Sequence, residues 1–426
     1  MRILIISKYA WDDKLAGGNT LSNFFSGWSG TEFYSLYCRD SMPDNKCCNK
    51  YYSISPINIL KNIFTPQRIG KQFTLTGDGG NNSTVNAEDT LKHASKRHKF
   101  VFELIHDMIY ASKIWLNKKL KKFINEANPD IVFCFGVPDA FTYQMVKYVK
   151  GHLNCAIVSY YVDDHYNNVS RWNLLHKLGR KRLKKIASMS DKRYAISQMM
   201  CDEYEREMHT DFNLLFKGCV ISEVIPKDNS VLQMTYAGNL FYQRDSILAE
   251  IATIISNLNV QMDRKAHLDI YTSTTLCDEI DRKLNIDGVS KVHQARSYKE
   301  IVEIMQKSDI ALFVESFDPC QIKAVRLSFS TKITDCLQAG TKVLAIGPSD
   351  IASIAFLKSI PGVTVISNLD NLKPVIQSFL LQSSSLTDDV IKTNEYSKKN
   401  FTVSVVRKRL QNDFIQLSAA YKGHTL

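Results

Sequence analysis

The sequence predicts an α/β protein of two domains, each with a parallel sheet between helices, and three observations support this prediction. A length of 426 residues exceeds one hydrophobic core and suits two domains of roughly 200 residues. Short apolar runs alternate along the chain with amphipathic stretches, which is typical of parallel strands connected by helices. Two of these runs, Arg2–Ser7 and Gln233–Ala237, each precede a glycine and a helical stretch. Each of them therefore predicts the first strand of one domain.

The composition is that of a globular protein, with 44% hydrophobic and 23% charged residues and a net charge of +11. No apolar run approaches the ~20 residues that a transmembrane helix needs. The ten cysteines show no Cys-x-x-Cys spacing, which favours reduced thiols in the cytoplasm over disulfides or a zinc site. The positive charge indicates an anionic partner, for which nucleotide phosphates, an anionic membrane surface and nucleic acid are the alternatives.

The stretch Arg326–Ala345 carries the strongest signal for a ligand site. It contains a hydroxyl-rich loop, a short helical stretch, Gly340 at the place of a left-handed C-cap, and an apolar strand. Hydroxyls, backbone N–H groups and Lys332 meet where the helical stretch begins, and such an end attracts phosphate. An ordinary α/β repeat with a capped helix explains the same residues without a ligand.

The first strand leads into a predicted loop that contains Gly17 and Gly18, ahead of a helix. A glycine pair lets the backbone approach a ligand closely and supplies N–H groups to it. The loop lacks the Gly-x-Gly-x-x-Gly pattern of dinucleotide-binding proteins, so the sequence does not favour an NAD enzyme.

A second set of polar residues follows the predicted strand Ala156–Tyr161. Asp163, Asp164 and His165 come at its carboxyl end, where α/β folds bind their ligands. Aspartates that cap a helix are the alternative explanation.

Two long helices are predicted from amphipathic periodicity, over Lys99–Asn125 and within Arg171–Arg193. The second segment carries nine Lys or Arg residues and one acidic residue, with leucines along one side. It is either a solvated face or a surface for an anionic bilayer, where each Lys or Arg adds about 1 kcal/mol.

The pattern Ser-x-Lys-x-x-Asp-x-Leu-x-x-Gly-x-x-Val in residues 330–343 resembles the donor-nucleotide motif of GT-B glycosyltransferases in the large retaining family 4. Asp335 stands where the family has its ribose-binding glutamate. Leu327 stands where the family has the earlier glutamate of its Glu-x7-Glu motif. The resemblance extends from residue 1 to about 421, with the best-matching motifs between 234 and 347.

This resemblance implies a GT-B fold, in which two Rossmann-like domains face each other across a cleft and the C-terminal helix crosses back to the first domain. The implied parts are an acceptor-binding domain over residues 1–228, a nucleotide-sugar-binding domain over 229–400 and the returning helix over 401–426. Pro226–Ser230 is the predicted linker, and Lys217-Gly218 resembles the turn that closes the first domain.

Members of the family bind the donor diphosphate with basic residues that follow a Gly-Arg-Leu motif in the second domain. Here Gly238 matches the glycine, Asn239 replaces the arginine, and Arg244 follows at the start of a helix. Glu315 and Ser316 lie at the end of the strand Asp309–Val314, again on the ligand side of the sheet. The candidate donor-binding residues are Gly17, Gly18, Gly238, Asn239, Arg244, Glu315, Ser316, Ser328, Ser330, Thr331, Lys332 and Asp335.

Asp163, Asp164 and His165 match the family's His or His-Asp pair near the transferred sugar, and they are the candidate catalytic residues. The resemblance implies transfer of a sugar from a nucleotide-diphospho-sugar to a saccharide or lipid-linked acceptor, in polysaccharide or glycolipid biosynthesis. It further implies retention at the anomeric carbon and no metal or other cofactor. We expect a cytoplasmic protein, peripheral at the inner face of the membrane.

Three other functions are alternatives to this one. A non-hydrolysing sugar-nucleotide 2-epimerase has the same fold and needs no acceptor. A non-catalytic GT-B subunit accords with the leucine at the position of the first motif glutamate. A basic nucleic-acid-binding protein accords with the net charge, but the sequence shows no aromatic-basic motif of the RNA-recognition type, so no nucleic-acid partner is expected.

Overall fold

The structure is a computed structural model, and it divides into two compact units. It describes residues 1–75, 96–167, 174–225, 227, 229–381 and 383–423, and the side chains in these ranges except those of 96–103 and 383–385. Two residues of the predicted linker, Pro226 and Asp228, lie outside this description. So do the first residues of the predicted basic helix. The first unit comprises Met1–Ile196, Met200–Lys217 and Val406–Leu426, and the second comprises Ser197–Met199 and Gly218–Val405.

The first unit is built on an eight-stranded sheet with the order β4-β3-β2-β1-β5-β6-β7-β8. All neighbouring strands are parallel except β3 and β4, which are antiparallel. The strands are β1 (Arg2–Ser7), β2 (Glu32–Tyr37), β3 (Lys50–Ser53), β4 (Lys71–Thr74), β5 (Ile131–Phe135), β6 (Ala156–Tyr161), β7 (Lys192–Ala195) and β8 (Asn213–Leu214).

The helices of this unit include two separate helices in the region where the sequence predicted a single long one. Lys113 has a left-handed backbone (φ 59°), and the side chain of Asn117 accepts the N–H of Leu120 at 3.0 Å, so the first helix ends and a second begins. The helices are α1 (Ala16–Phe25), α2 (Pro56–Lys61), α3 (Lys96–Ala111), α4 (Lys118–Ala127), α5 (Ala140–His152), α6 (Leu174–Met189) and α7 (Gln198–Met208).

The second unit contains a six-stranded, fully parallel sheet with the order β11-β10-β9-β12-β13-β14. Its strands are β9 (Val231–Ala237), β10 (Lys265–Thr272), β11 (Ser290–Gln294), β12 (Ile310–Val314), β13 (Lys342–Ile346) and β14 (Thr364–Ile366). Its helices are α8 (Arg244–Gln261), α9 (Asp278–Leu284), α10 (Tyr298–Lys307), α11 (Pro319–Val325), α12 (Lys332–Gln338), α13 (Ala352–Lys358), α14 (Leu372–Leu381) and α15 (Ser383–Phe401). The last helix of the chain is α16 (Val403–Gly423).

Alternating side chains of the central strand β1 supply both cores of the first unit. Leu4 and Ile6 belong to the cluster on one face of the sheet, and Ile3 and Ile5 belong to the cluster on the other face. The second of these clusters also contains Phe414 of α16. Residues from Val406 onwards group with the first unit, as the sequence predicted for the final helix. Among the described helices, none combines the length and the apolar character that crossing a membrane requires.

Two adjacent central strands define the edge of the sheet at which the predicted donor residues lie. β9 and β12 are parallel neighbours, with Met234 opposite Ile310, so their carboxyl ends lie at the same edge of the sheet. The helix α12 begins at the same edge and is followed by Gly340, whose φ of 60° confirms the predicted left-handed C-cap.

Candidate functional site

The predicted donor residues of the second unit gather where β9 and β12 end. Gly238 directly follows β9, and Arg244 is the first residue of α8. Glu315 directly follows β12, and Lys332 is the first residue of α12. The structure therefore brings together four residues that are separated by up to about a hundred positions in the sequence, as expected for the ligand side of a parallel sheet.

Arg244 is buried and its guanidinium is held by acceptors of the protein itself. Its Nε donates to the carbonyl oxygen of Val314 at 3.0 Å. One terminal nitrogen donates to Oδ1 of Asn239 at 2.8 Å, and the other donates to Oε2 of Glu315 at 2.5 Å. Three of the five N–H donors of the guanidinium are thus occupied, and two remain for a ligand. Asn239 and Glu315, both predicted to bind the donor, here orient Arg244.

Lys332 is a second cation at this site, and its ammonium group is less occupied than the guanidinium of Arg244. A Cβ added to Gly238 would lie 2.2 Å from Nζ of Lys332, so a side chain at position 238 would displace the ammonium group from its present place. The same Nζ lies 5.5 Å from the ring centre of Tyr236. Within the described ranges the ammonium group has no hydrogen-bond acceptor or ion-pair partner.

The protonation of Lys332 is governed by its surroundings. Burial lowers the pKa of Lys332, and the positive charge of Arg244 lowers it further, whereas Glu315 acts in the opposite direction. A half-buried cation without a partner is costly, and an anion that enters the site removes this cost. The arrangement is therefore suited to a phosphate or diphosphate ligand.

The hydroxyl-rich loop ahead of α12 is partly occupied by its own hydrogen bonds. The N–H of Ser330 donates to Oγ of Ser353 at 3.1 Å, and the same Oγ donates to the carbonyl oxygen of Ser328 at 3.4 Å. The N–H of Ser330 is therefore not available to the phosphate for which it was predicted. Thr331 is exposed and its side chain makes no capping hydrogen bond.

Two further donor candidates lie nearby in different surroundings. Ser316 is buried, and its Oγ accepts the N–H of Asp318 at 3.0 Å, which makes it part of a turn. Asp335 lies one turn into α12 and is half-buried. Burial, and then the carboxylate of Asp335, raise the pKa of Tyr298 to about 12, which places Asp335 close to α10. Its contact with a ribose stays a prediction.

The glycine pair of the first unit lies in a helix and not in the predicted loop. α1 begins at Ala16, so Gly17 and Gly18 form its first turn. A Cβ on Gly18 would lie 2.0 Å from the carbonyl oxygen of Asp12, so this glycine permits a close backbone contact within the protein. Gly17 has open space around it. A role of either residue in donor binding stays a prediction.

The candidate catalytic residues follow β6 in the first unit, and they differ in their hydrogen-bond partners. Oδ1 of Asp164 accepts the N–H of Asn167 and the hydroxyl of Tyr204, both at 3.0 Å, so this carboxylate stabilises the turn that follows it. The N–H of His165 donates to the carbonyl oxygen of Asp163 at 2.8 Å, and its Nε2 lies 3.9 Å from the carboxylate of Asp163.

His165 is the member of this group best suited to proton transfer. Burial lowers the pKa of His165 despite the opposing effect of Asp163. The imidazole is therefore neutral near pH 7 and is able to accept a proton. No group of three or more His, Cys, Asp or Glu side chains suited to a metal ion occurs in the described part of the chain.

Three aromatic residues that no sequence pattern predicted lie near the candidate donor residues. Tyr236 lies beside the Lys332 ammonium and donates its hydroxyl to the carbonyl oxygen of Asn239 at 2.7 Å. Phe241 and Tyr242 are exposed in the loop after Gly238. The available signal was a pair of adjacent aromatic residues that begins three positions after a motif glycine.

Comparisons with known proteins show the fold of the chain. No protein-family model matches the sequence, and no curated protein matches it significantly. HepE of Anabaena, solved in complex with UDP, is 9% identical with a TM-score of 0.58, over 98% of this chain and 100% of its own. The trehalose 6-phosphate synthase of Burkholderia multivorans is 9% identical with a TM-score of 0.59, over 100% of this chain and 98% of its own.

A glycosyltransferase of Rickettsia africae is 11% identical with a TM-score of 0.59, over 98% of both chains. The chain therefore has the two-domain α/β architecture of these glycosyltransferase structures, which is the GT-B fold that the sequence resemblance implies. At identities this low the likeness concerns the fold alone.

Proposed function

We propose that the protein is a glycosyltransferase that takes a sugar from a nucleotide-diphospho-sugar. One observation carries the proposal: the half-buried ammonium of Lys332 lies against Gly238 and lacks an acceptor among the described residues. A donor diphosphate supplies the acceptors that this cation lacks. The fold shared with HepE, which was solved with UDP, favours UDP as the nucleotide.

The chemistry of this site concerns the leaving group. When the glycosidic bond breaks, negative charge accumulates on the departing nucleoside diphosphate while the sugar acquires oxocarbenium character. Lys332 stabilises that charge from a position of low dielectric constant. Arg244, which Asn239 and Glu315 keep oriented, supplies further N–H donors to the diphosphate. Because these cations neutralise the leaving group, the proposed reaction needs no metal ion.

The proposed acceptor is a saccharide or a lipid-linked saccharide, in polysaccharide or glycolipid biosynthesis, and the proposed outcome is retention. His165 is the candidate for contact with the acceptor or the transferred sugar, since its imidazole is neutral near pH 7 and Asp163 lies beside it. Asp335 is proposed to accept hydrogen bonds from the ribose.

A cytoplasmic location and a peripheral position at an anionic membrane form part of the proposal. Leu174 and Leu178 of α6 are 71% and 39% exposed, beside the exposed lysines of the same helix. Apolar side chains next to lysines suit the boundary of an anionic bilayer. Arg182 of this helix does not contribute, because it forms a half-buried bidentate ion pair with Asp107 at 2.6 and 2.9 Å.

A donor screen tests the function directly. UDP-, GDP-, dTDP- and CMP-sugars are compared by thermal shift, where a ligand at 100 times its dissociation constant stabilises by roughly 2.7 kcal/mol. We expect a nucleoside-diphospho-sugar to stabilise the protein, and its sugar to pass to a saccharide acceptor in the presence of EDTA. A changed sugar or a released nucleotide without any acceptor identifies an epimerase instead. No stabilisation by any member of the panel contradicts the proposal.

A further inference from the structure

Two aromatic side chains stand exposed in the loop that joins β9 to α8. Phe241 is 55% exposed and Tyr242 is 52% exposed. Their ring centres are 6.2 Å apart, with the ring planes inclined at 65°. Neither ring belongs to the hydrophobic core cluster of the second unit. Adjacent exposed rings offer apolar surface to a ligand that enters this edge of the sheet.

The backbone holds this pair in a conformation that L-amino acids seldom adopt. Tyr242 has a φ of 64° and the next residue, Gln243, has a φ of 62°. The other left-handed non-glycine residues in the described ranges are isolated ones. Two consecutive left-handed positions normally carry Asn-Gly or similar residues. Strain of this kind persists where the surroundings enforce it, and it concentrates at ligand sites.

The loop is anchored on both sides of the aromatic pair. Leu240 is buried, and its N–H donates to Oγ1 of Thr274 at 3.1 Å. The carbonyl oxygen of Asn239 accepts the hydroxyl of Tyr236 at 2.7 Å. On the other side, Arg244 is buried and begins α8. The rings therefore sit on a rigid support, and a ligand that contacts them incurs little cost for ordering the loop.

We propose that Phe241 and Tyr242 form a stacking platform for the transferred sugar ring of the donor, an inference that rests on the proposed function. The faces of a sugar ring carry C–H bonds with a small positive charge, and the face of an aromatic ring is negative, so the two attract. The platform thereby selects for the sugar part of the donor and not for its nucleotide.

The position of the platform relative to the diphosphate site favours the sugar over the nucleobase. The guanidinium carbon of Arg244 lies 5.9 Å from the ring centre of Tyr242. Asp335, the candidate ribose ligand, lies one turn beyond Lys332 along α12. A nucleotide sugar is linear, with its diphosphate between the nucleoside and the sugar. With the diphosphate at Lys332 and the ribose at Asp335, the sugar falls on the side of the β9 loop.

Two glycine substitutions distinguish the effect of the aromatic ring on binding from the effect of the backbone strain. Tyr242→Gly removes a ring and relieves one left-handed position. Gln243→Gly relieves the adjacent position and keeps both rings, so it is the matched control. Dissociation constants are measured by calorimetry for UDP, GDP and dTDP, each alone and as its glucose conjugate, and thermal unfolding confirms that each variant is folded.

For the nucleotide that binds the unaltered protein, we expect Tyr242→Gly to weaken the glucose conjugate roughly three- to tenfold and to leave the free diphosphate unchanged. Gln243→Gly and Tyr242→Phe are expected to leave both constants unchanged. Equal weakening of the diphosphate and the conjugate indicates stacking on the nucleobase and overturns the proposal. The proposal is also overturned if Tyr242→Gly changes neither dissociation constant. If the unaltered protein binds none of the six compounds, the proposed function fails, independently of the platform.

Discussion

Lys332 has unused hydrogen-bond donors in the described part of the donor site, which makes its substitution the sharpest test of that site. Lys332→Ala removes charged hydrogen bonds worth about 1.5–3 kcal/mol, so UDP should bind roughly 10- to 150-fold more weakly. Uridine, which lacks the diphosphate, should bind the variant and the parent equally. Calorimetry measures both constants. Lys299→Ala is the control, because that side chain is 89% exposed on α10. Unchanged binding of UDP to the Lys332 variant would place the donor elsewhere.

The lowered pKa of Lys332 predicts the pH dependence of donor binding. Only the protonated ammonium attracts the diphosphate, so affinity is complete below its pKa and is lost as the pH rises through it. Because burial and Arg244 lower this pKa, the loss should begin below the value of about 10.4 that is usual for lysine. Calorimetry with UDP between about pH 8 and 10.5 measures the profile. Lys332→Arg should flatten it, since arginine stays charged, and an identical profile in that variant contradicts the assignment.

The polar group after β6 predicts a contrast between two neighbouring residues. His165→Asn should lower kcat by about 10²–10⁴ with little change in donor affinity, if the imidazole transfers a proton. Asp164→Asn should instead act mainly on stability, because its carboxylate accepts two hydrogen bonds from the protein. Steady-state kinetics and thermal unfolding of both variants make the comparison. A normal kcat for the His165 variant would assign this group to structure alone.

Sequence patterns placed the candidate donor residues at one edge of the sheet, but they did not predict the contacts that each residue makes there. Gly238, Arg244 and Lys332 follow strand ends or begin helices, and that local signal is sufficient to place them at one edge. The pairing of Arg244 with Glu315 joins residues 71 positions apart. Such a pairing depends on the packing of β9 against β12, which no local pattern contains.

Helices and strands were likewise predicted where a local pattern determines them and missed where tertiary packing does. The strands β1, β5, β6, β12 and β13 follow directly from nearly continuous hydrophobic runs. The break between α3 and α4 was missed because the amphipathic period continues through it. The structure breaks the helix where Trp115 is fully buried and donates its indole N–H to the carbonyl oxygen of Tyr110 at 2.9 Å. The capping residue Asn117 was the sequence signal for that break.

The exposed lysines and leucines of α6 lead us to expect that the protein binds anionic liposomes. Replacing its four exposed lysines with glutamine should reduce binding in a flotation assay, since each contributes about 1 kcal/mol near an anionic surface. The matched control changes four lysines of α4, whose apolar side chains are buried. Equal loss in both variants indicates a general charge effect and contradicts docking through α6. The two sets are Lys177, Lys181, Lys184 and Lys185 in α6, and Lys118, Lys119, Lys121 and Lys122 in α4.

The core of the first unit is completed by α16, which comes from the far end of the chain. Phe414 is fully buried, with its ring centre 5.9 Å from that of Phe25 and 5.5 Å from that of Trp28. Phe414→Ala should destabilise the first unit by about 3–5 kcal/mol. Hydrogen exchange should then show faster exchange in α1 and β5 and unchanged exchange in β12.

The adjacent residue Ile415 provides the control for this prediction. It is 54% exposed on the same helix, so Ile415→Ala should change exchange little in either unit. Equal acceleration in β12 for the Phe414 variant would show that the two units unfold together.

The place of α16 in the first unit has a consequence for how the protein forms on the ribosome. Translation produces Met1–Lys217 early, but Val406 and the residues after it emerge only once Gly218–Val405 has been made. During that interval Phe25, Trp28 and Phe133 lack the ring of Phe414 that covers them in the finished protein. The second unit, which consists almost entirely of one continuous segment, is therefore able to complete its fold first. The nascent first unit meanwhile presents an aromatic surface of the kind that chaperones bind.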